Sequence, residues 1–166
     1  LGAEVSYYIP NRIGEGYGLS CGAIDHLAKK GVQLIITVDT GITATDEAEL
    51  ILSLGMELII TDHHECYADV PRAYAVVNPK QQDCPYPFKE LAGVGVVFKL
   101  ICACEIYLAE KRGESVKDAV LAVCREYVDL TAIGTIADVM PIIDENRYIV
   151  AVGLDAVQNT NRCGLN

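Results

Sequence analysis

The sequence predicts an α/β fold in which a mainly parallel sheet carries helices on both faces. Short continuous apolar runs, such as Leu34–Val38 and Glu57–Thr61, alternate with longer helical segments. Such runs are typical of strands that are buried on both faces of a parallel sheet. Gly31 and Gly55 follow two of the helical segments, and glycine at that position favours the end of a helix.

The predicted strand–helix units occupy about residues 5–77. Strands separated by helical segments form parallel βαβ units. The loops between them are PNRIGEGYGL, DTGIT and TDHHE. In chain order, the predicted elements are a strand at Val5–Ile9, a helix from about Ser20 to Lys30, the strand 34–38, a helix to about Leu54, the strand 57–61 and a weaker strand at Ala75–Val77.

The rest of the chain, about residues 92–160, is predicted to be helical. The segment PKQQDCPYPFKE contains three prolines and few apolar residues, which indicates a surface connection before the helices. Helices are predicted at about 96–111, 116–128 and 146–158, with Ser115 as the N-cap of the second. Asp129 is predicted to begin a further helical stretch. The 166 residues, 51% of them hydrophobic, fit one globular domain.

Composition narrows the possible settings of the protein. No run of about 18 uncharged apolar residues occurs, so we expect no membrane span. The sequence begins at Leu1 without a basic leader, which favours a segment of a longer protein over a secreted chain. The 7 cysteines form no C-x-x-C pair. Their scatter through apolar segments predicts reduced core thiols in a cytoplasmic protein.

The formal net charge of −10 is unfavourable for binding nucleic acid, because that binding depends largely on neutralised phosphates. Two explanations remain compatible with a nucleic-acid substrate. The acidic residues could concentrate around metal ions, or basic surface could lie in parts of a longer protein. Charge alone does not decide between them.

Two strands share a sequence that predicts where a site lies. LIITVD at 34–39 and LIITDH at 58–63 agree in their first four residues, so Asp39 superposes on His63. Each follows the carboxyl end of a predicted strand, which is where open α/β sheets bind ligands. A carboxylate and an imidazole side by side at that edge make a plausible metal site. Two ordinary buried strands would also produce this similarity.

The loop Asp62-His63-His64-Glu65 is the densest group of chemically active side chains. Adjacent histidines at a strand end point in different directions, so at most one continues the line set by Asp39. Imidazole and carboxylate together suit Mn²⁺, Fe²⁺ or Zn²⁺, and several carboxylates favour Mn²⁺. Alternatively, Asp62 and His64 satisfy backbone groups of the loop.

Two further residues are candidates for the same site. Asp138 lies in the apolar stretch GTIADVMPI, where an unpaired carboxylate is costly and needs a cation or donors; a helix N-cap is the alternative. Arg12 lies in a loop with Gly14, Gly16 and Gly18. Such a loop lets backbone amides and arginine hold a phosphate, or it is a flexible surface loop. Its G-x-G-x-G spacing differs from the dinucleotide-binding pattern.

The order of these motifs resembles that of the DHH-family phosphoesterases. VDTGI, TDHHE and GTIADVMPI resemble the second, third and fourth motifs of that family. YYIPNRIGEGYG, VVNPKQ and LAGVGVVFKL resemble the family's RecJ-type exonucleases in particular. The resemblance covers roughly residues 5–155. It implies a three-layer, Rossmann-like DHH domain, of which this chain holds a part.

The resemblance also implies roles for individual residues. Asp39 matches an aspartate that bridges two metals, His63 a histidine ligand and Asp138 a further carboxylate ligand. His64 matches a histidine beside the scissile phosphate, and Arg12 a phosphate-contacting position. Asp62 is expected to orient the site from behind the ligands.

The implied activity is 5′→3′ exonuclease hydrolysis of single-stranded DNA in recombination and repair. Two Mn²⁺ or Mg²⁺ ions would act in the intact protein. The family's aspartate-rich first motif and its C-terminal domains are absent from this sequence. We therefore expect the 166-residue chain alone to be inactive and to bind nucleic acid poorly.

Two alternatives to this activity stay open. Another DHH enzyme would act on short oligoribonucleotides or nucleotide phosphates, which YYIPNR and LAGVGVVFKL argue against. A non-catalytic DHH-like interaction domain would lack the metal ligands, whereas this chain retains Asp39, His63 and Asp138.

Overall fold

The computed structural model describes residues 3–11, 13–14, 16–67 and 69–165. Among these residues, the first half contains two helices and three strands, and only helices follow in the second half. In chain order the elements are α1 (Cys21–Lys29), β1 (Leu34–Val38), α2 (Thr45–Ser53), β2 (Glu57–Thr61), β3 (Ala75–Val77), α3 (Gly93–Arg112), α4 (Val116–Ala137) and α5 (Asp144–Gln158).

The three described strands form a parallel sheet in the order β1-β2-β3. This arrangement confirms the predicted α/β class. The ladder pairs Leu34 with Glu57 and Val38 with Thr61. Its register therefore differs by one residue from the superposition of the two LIIT sequences, so Asp39 and Asp62 both come directly after paired residues. A shift of one residue would move every side chain of a strand to the opposite face of the sheet. The observed register instead pairs the buried residues Ile35 and Leu58, so burial and not sequence similarity determines the pairing.

One face of the sheet packs against α1 and α2. Ile35 and Leu58 are paired neighbours on this face, and both are buried together with Ile24 of α1 and Ile51 of α2. Ser20 caps α1, since its hydroxyl oxygen accepts from Ala23 N. These contacts fix the direction in which the carboxyl ends of β1 and β2 point.

The helical half covers part of the opposite face. Val77 packs there against a second core that contains Phe88, Val96 of α3 and Ile149 of α5. Helices thus lie on both faces, as predicted. Coverage is incomplete at β1, however, where the alternate residues Leu34, Ile36 and Val38 are exposed. The expectation of strands buried on both faces is therefore wrong for β1.

The predicted strand at Val5–Ile9 is not present. Residues 3–9 are described without strand pairing, and Val5, Tyr7 and Ile9 are largely exposed. Alternating apolar residues satisfy the local pattern of a strand, but a strand also needs a neighbouring edge for its backbone hydrogen bonds. None of the described strands pairs with this segment.

Two expectations for α4 need correction. Helix α4 does not end near Val128 but continues to Ala137, so Asp129 lies inside it rather than at the start of a new stretch. Ser115 is the N-cap of α4, as predicted.

The cysteines are free thiols, but none is fully buried, and Cys21 and Cys163 are exposed. They are therefore not core thiols.

Among the described residues, no helix combines the length and the apolar character that crossing a membrane requires.

Candidate metal centre

Asp39 directly follows β1 and turns the chain away from the strand. Its φ of 62° is left-handed, a conformation that aspartate adopts more readily than most residues with a side chain. The Asp39 N–H still donates to the Thr61 carbonyl oxygen over 3.0 Å. The carboxylate is thereby held at the carboxyl edge of the sheet, where parallel sheets bind ligands.

His63 meets two carboxylates at this edge. Its Nε2 lies 3.0 Å from Asp39 Oδ1 and 3.3 Å from Asp138 Oδ2. Only 7% of the His63 side chain is exposed, against 46% of the Asp39 side chain and 40% of the Asp138 side chain. The structure therefore brings together the three residues that the sequence singled out as metal ligands.

Asp138 reaches the site from the C-terminal end of a helix in the second half of the chain. It is the C-cap of α4, not the N-cap that was considered as an alternative to a site residue. The next residue, Val139, has a φ of 57°, so the chain turns sharply after the carboxylate. A carboxylate gains nothing from the negative end of a helix dipole. Its position is explained instead by the histidine beside it.

The buried polar atoms of this site lack hydrogen-bond partners. Asp39 Oδ1 and both ring nitrogens of His63 are buried and accept or donate no hydrogen bond. The 3.0 Å contact between His63 Nε2 and Asp39 Oδ1 is thus close but not aligned as a hydrogen bond. Buried polar groups are normally satisfied, so atoms left in this state fit a bound cation. Mixed imidazole and carboxylate donors suit a divalent ion such as Mn²⁺.

The electrostatics of the site also favour positive charge. The contact with the Asp39 carboxylate raises the pKa of His63 above its ordinary value, burial opposes this rise, and the charges of Asp39, Asp138 and Asp62 add to it. In the absence of a cation, the carboxylates thus favour a proton on the imidazole. A divalent cation would supply positive charge to the same carboxylates.

Asp62 lies behind the candidate site, inside the protein, rather than facing the solvent. Its side chain is only 1% exposed and accepts hydrogen bonds from Ile42 N over 2.9 Å, from His63 N over 2.7 Å and from His64 N over 3.2 Å. Burial alone raises the pKa of the Asp62 carboxyl, but these bonds and the His64 ring outweigh it and hold the pKa below its ordinary value.

His64 faces outward from the same loop. Its Nδ1 lies 2.7 Å from Asp62 Oδ1; because an ionised carboxylate only accepts, Nδ1 carries the proton. About half of the side chain, 48%, is exposed. His64 lines a cleft together with Tyr17, Asp39 and Asp138. Asp39, His63 and His64 each offer one ligand atom, and these atoms all lie within 4.8 Å of one another.

The loop that follows His64 is fastened to the segment after β3. Asn78, which is 2% exposed, donates from Nδ2 to the His64 carbonyl oxygen over 2.9 Å. Lys80 Nζ lies 2.8 Å from Glu65 Oε1. The VVNPKQ segment, which carried part of the family resemblance, therefore supports the backbone of the histidine loop.

Gly93 and Tyr17 were not identified from the sequence as parts of the site. A Cβ atom at Gly93, the first residue of α3, would lie 2.3 Å from Asp39 Oδ1, so a side chain at this position would collide with the carboxylate. The Tyr17 hydroxyl donates to the Asp39 carbonyl oxygen. Gly93 lies in the motif LAGVGVVFKL and Tyr17 in YYIPNRIGEGYG, but only the folded structure shows that both residues contact Asp39.

Arg12 lies outside the described residues, so its prediction as a phosphate contact is not tested by the structure. The neighbouring described glycines Gly16 and Gly18 have left-handed φ values of 84° and 90°. The loop around them therefore requires glycine, and it carries Tyr17 to the cleft.

Comparison with known proteins indicates the same family as the order of the motifs. The DHH family, N-terminal domain, matches residues 1–135. The single-stranded-DNA-specific exonuclease RecJ of Bacillus subtilis strain 168 is 48% identical over 165 residues, which is 99% of this chain and 19% of the relative. The protein of the same name from Escherichia coli strain K12 is 38% identical over 156 residues, 94% of this chain and 27% of the relative.

A solved structure supports the same relationship at the level of the fold. A crystal structure of exonuclease RecJ bound to manganese superposes with a TM-score of 0.80 at 37% identity, and the match covers 99% of this chain and 39% of that one. The chain spans only about a fifth to a quarter of the length of the two curated relatives.

Proposed function

The chain belongs to the DHH family, and from that membership we propose that it forms the metal-binding part of a 5′→3′ exonuclease specific for single-stranded DNA. The observation that carries the proposal is the meeting of Asp39, His63 and Asp138 at the carboxyl edge of the sheet. Relatives named for this activity are 38% and 48% identical to the chain.

Asp39, His63 and Asp138 would hold a divalent cation, Mn²⁺ or Mg²⁺. Manganese is favoured because the donors include an imidazole as well as carboxylates, and because a related structure contains manganese. In the intact protein we propose two ions, which would be held by Asp39, His63 and Asp138 together with further ligands from an aspartate-rich motif that this sequence lacks. When bound, such ions lower the pKa of water and neutralise charge on the phosphoryl oxygens.

His64 acts on the phosphate from the wall of the cleft. Its Nδ1 is engaged by Asp62, so Nε2 is the ring atom left for the substrate. A protonated Nε2 donates to a phosphoryl oxygen, and a neutral one accepts a proton. Because Asp62 is itself fixed by backbone N–H groups, the ring is held in position before the substrate arrives.

We propose that Arg12 holds a phosphate of the substrate, since a guanidinium group can bind two phosphate oxygens at once. One such contact does not offset a net charge of −10, because affinity for DNA increases with the number of neutralised phosphates. The 166-residue chain alone should therefore bind single-stranded DNA poorly and degrade it slowly or not at all.

Digestion of labelled DNA tests the proposal. The full-length gene product is incubated with Mn²⁺ and single strands labelled at the 5′ or the 3′ end, and with a matched duplex. We expect early release of 5′-terminal label from the single strands and little from the duplex. Asp39→Ala should reduce the rate by about 10²–10³-fold, because it would weaken binding of the cation that stabilises the developing negative charge, and losing one such stabilising group has an effect of this size.

Asp25→Ala is the matched control, because Asp25 is an exposed acid of α1 away from the cleft, and its rate should equal that of the wild type. Hydrolysis of short oligoribonucleotides in preference to single-stranded DNA would contradict the substrate. An active Asp39→Ala variant would contradict the site. If the 166-residue chain alone matched the full-length product, the proposed dependence on further ligands would be wrong.

A further inference from the structure

The Gly16-Tyr17-Gly18 segment lies over the residue that ends β1. Both glycines have left-handed backbones, with φ of 84° and 90°, which residues with a side chain rarely adopt. The tyrosine between them donates its hydroxyl to the Asp39 carbonyl oxygen. Two unusual backbone conformations thus place one side-chain hydroxyl against the backbone of a proposed metal ligand.

Asp39 itself needs such support. Its own φ of 62° is a sparsely populated conformation for a residue with a side chain, and it persists only where the surrounding structure holds it. The N–H of Asp39 is held by the Thr61 carbonyl oxygen over 3.0 Å. The Tyr17 hydroxyl holds the carbonyl group at the other end of the residue, so both polar backbone groups of Asp39 are fixed.

The fit around this residue is close on two sides. A Cβ atom at Gly18 would lie 2.8 Å from Thr40 Oγ1, and one at Gly93 would lie 2.3 Å from Asp39 Oδ1. The Tyr17 ring also borders His64, with ring centroids 6.2 Å apart and planes at 71°. A shift of the tyrosine would therefore change the positions of Asp39 and of His64 in the wall of the cleft.

We propose that Tyr17 is a positioning residue whose hydroxyl holds the left-handed backbone of Asp39 and so directs its carboxylate toward His63. The inference rests on the proposed function, in which Asp39 is a metal ligand. Tyr17 needs no contact with DNA for this role. Loss of the hydroxyl removes none of the proposed ligand side chains, but it allows the Asp39 carboxylate to adopt other orientations.

Two variants of the full-length gene product test the role from different positions. Tyr17→Phe removes only the hydroxyl. Gly18→Ala leaves the hydroxyl but displaces the segment, since the new Cβ meets Thr40 and the φ of 90° is strained. Tyr148→Phe is the control, because Tyr148 is 72% exposed on α5.

Mn²⁺ affinity is measured by calorimetry without DNA. We expect binding to weaken about three- to tenfold in Tyr17→Phe and Gly18→Ala, the size of effect that one hydrogen bond supports, and to stay unchanged in Tyr148→Phe. With DNA, kcat of Tyr17→Phe should fall at limiting Mn²⁺ and recover at saturating Mn²⁺, while KM for DNA stays constant. Unchanged Mn²⁺ affinity, or a rise in KM alone, would overturn the proposal.

A spectroscopic measurement on the metal-free protein separates this inference from the proposed function. A left-handed residue has its amide and α hydrogens close together, so Asp39 gives a strong NOE between them. The NOE should weaken in Tyr17→Phe, and its persistence at full strength would refute the positioning role even if no variant bound metal. Equal Mn²⁺ binding by the wild type and Asp39→Ala would refute the metal site instead.

Discussion

At the carboxyl edge of the sheet, Asp39 and His63 hold buried polar atoms that no hydrogen bond satisfies, whereas in the helical half the buried carboxylate of Asp129 has a full set of partners. Asp129 accepts from Leu130 N over 2.7 Å, from Thr160 Oγ1 over 3.1 Å and from Arg162 Nε over 2.9 Å. A carboxylate is therefore satisfied by hydrogen bonds in the helical half, whereas one at the sheet edge has an oxygen that is not.

The difference distinguishes a group that stabilises the fold from groups that we propose bind a cation. A buried charge that finds its partners inside the protein contributes to stability, and breaking such a pair is costly. A buried polar group without partners is rare in a native protein and marks a candidate binding site. Among the described residues of the helical half, Asn146 Oδ1 is the exception that also lacks a partner.

Metal addition should produce the largest contrast between the regions. At free Mn²⁺ about 100-fold above its Kd, the unfolding free energy of the full-length gene product should rise by about 2.7 kcal/mol, because the ion binds only the folded state. Urea unfolding with Mn²⁺ and with a chelator measures this gain. His63→Ala should lose it and Asp129→Asn should keep it. A gain that His63→Ala also shows would place the ion elsewhere.

Asp129→Asn should have the next largest effect, on stability alone. We expect a loss of about 2 kcal/mol at pH 7, since hydrogen bonds to a charged group contribute about 1.5–3 kcal/mol. Mn²⁺ affinity should not change, because Asp129 takes no part in the cleft. Urea unfolding and calorimetry of the same protein preparation measure the two quantities. A weaker Mn²⁺ affinity would show that the regions are coupled.

The stability that Asp129 contributes should also depend on pH. Burial raises the pKa of the Asp129 carboxyl, but the hydrogen bond from Arg162, with those from Leu130 and Thr160, outweighs it and holds the pKa below the ordinary value of 3.8. Because the pKa of this carboxyl is lower in the folded state than in the unfolded state, its ionisation stabilises the folded protein at pH values above the unfolded-state pKa. This stabilisation is lost as the pH falls through the folded-state pKa. Wild type and Asp129→Asn should therefore converge in stability as the pH is lowered below 3.8.

Ser115→Ala should give the smallest loss of unfolding free energy, and it too should leave Mn²⁺ affinity unchanged. The Ser115 hydroxyl oxygen accepts from Asp118 N over 3.3 Å at the start of α4, and losing an N-cap costs about 1 kcal/mol. The opposite end of α4 carries Asp138, so unchanged Mn²⁺ affinity would show that the helix transmits no disturbance. Ser6→Ala, in the exposed segment before α1, is the control for the substitution itself.

The sequence predicted the parts of the structure that depend on local pattern and strand order. Apolar runs located β1 and β2, and parallel strands end at one edge of a sheet, so Asp39 and His63 could be expected to meet there. Asp138 could be placed beside them only through the family resemblance, because nothing local connects the end of α4 to the sheet.

The failures share one physical cause, which is dependence on distant partners. Val5–Ile9 has the composition of a strand but pairs with no described strand. Asp129 looked like a helix start because aspartate favours that position, yet Arg162 satisfies it within α4. The contact between the Tyr17 hydroxyl and Asp39 joins two loops, and no periodicity in the sequence encodes such a contact.

The bonds that Asp62 accepts have a consequence for the order of folding. One comes from Ile42 N in the loop after β1, and two come from His63 N and His64 N in the loop after β2. The bond from Ile42 N joins the two loops, and the Asp39 N–H donates to the Thr61 carbonyl oxygen at the end of β2. The loop after β1 is therefore fixed in place only once β2 and the loop after it have been added. A nascent chain that has completed β1 and α2 then carries Asp39 without its neighbours: His63 joins it only after β2 is added, and Asp138 only after α4 is complete.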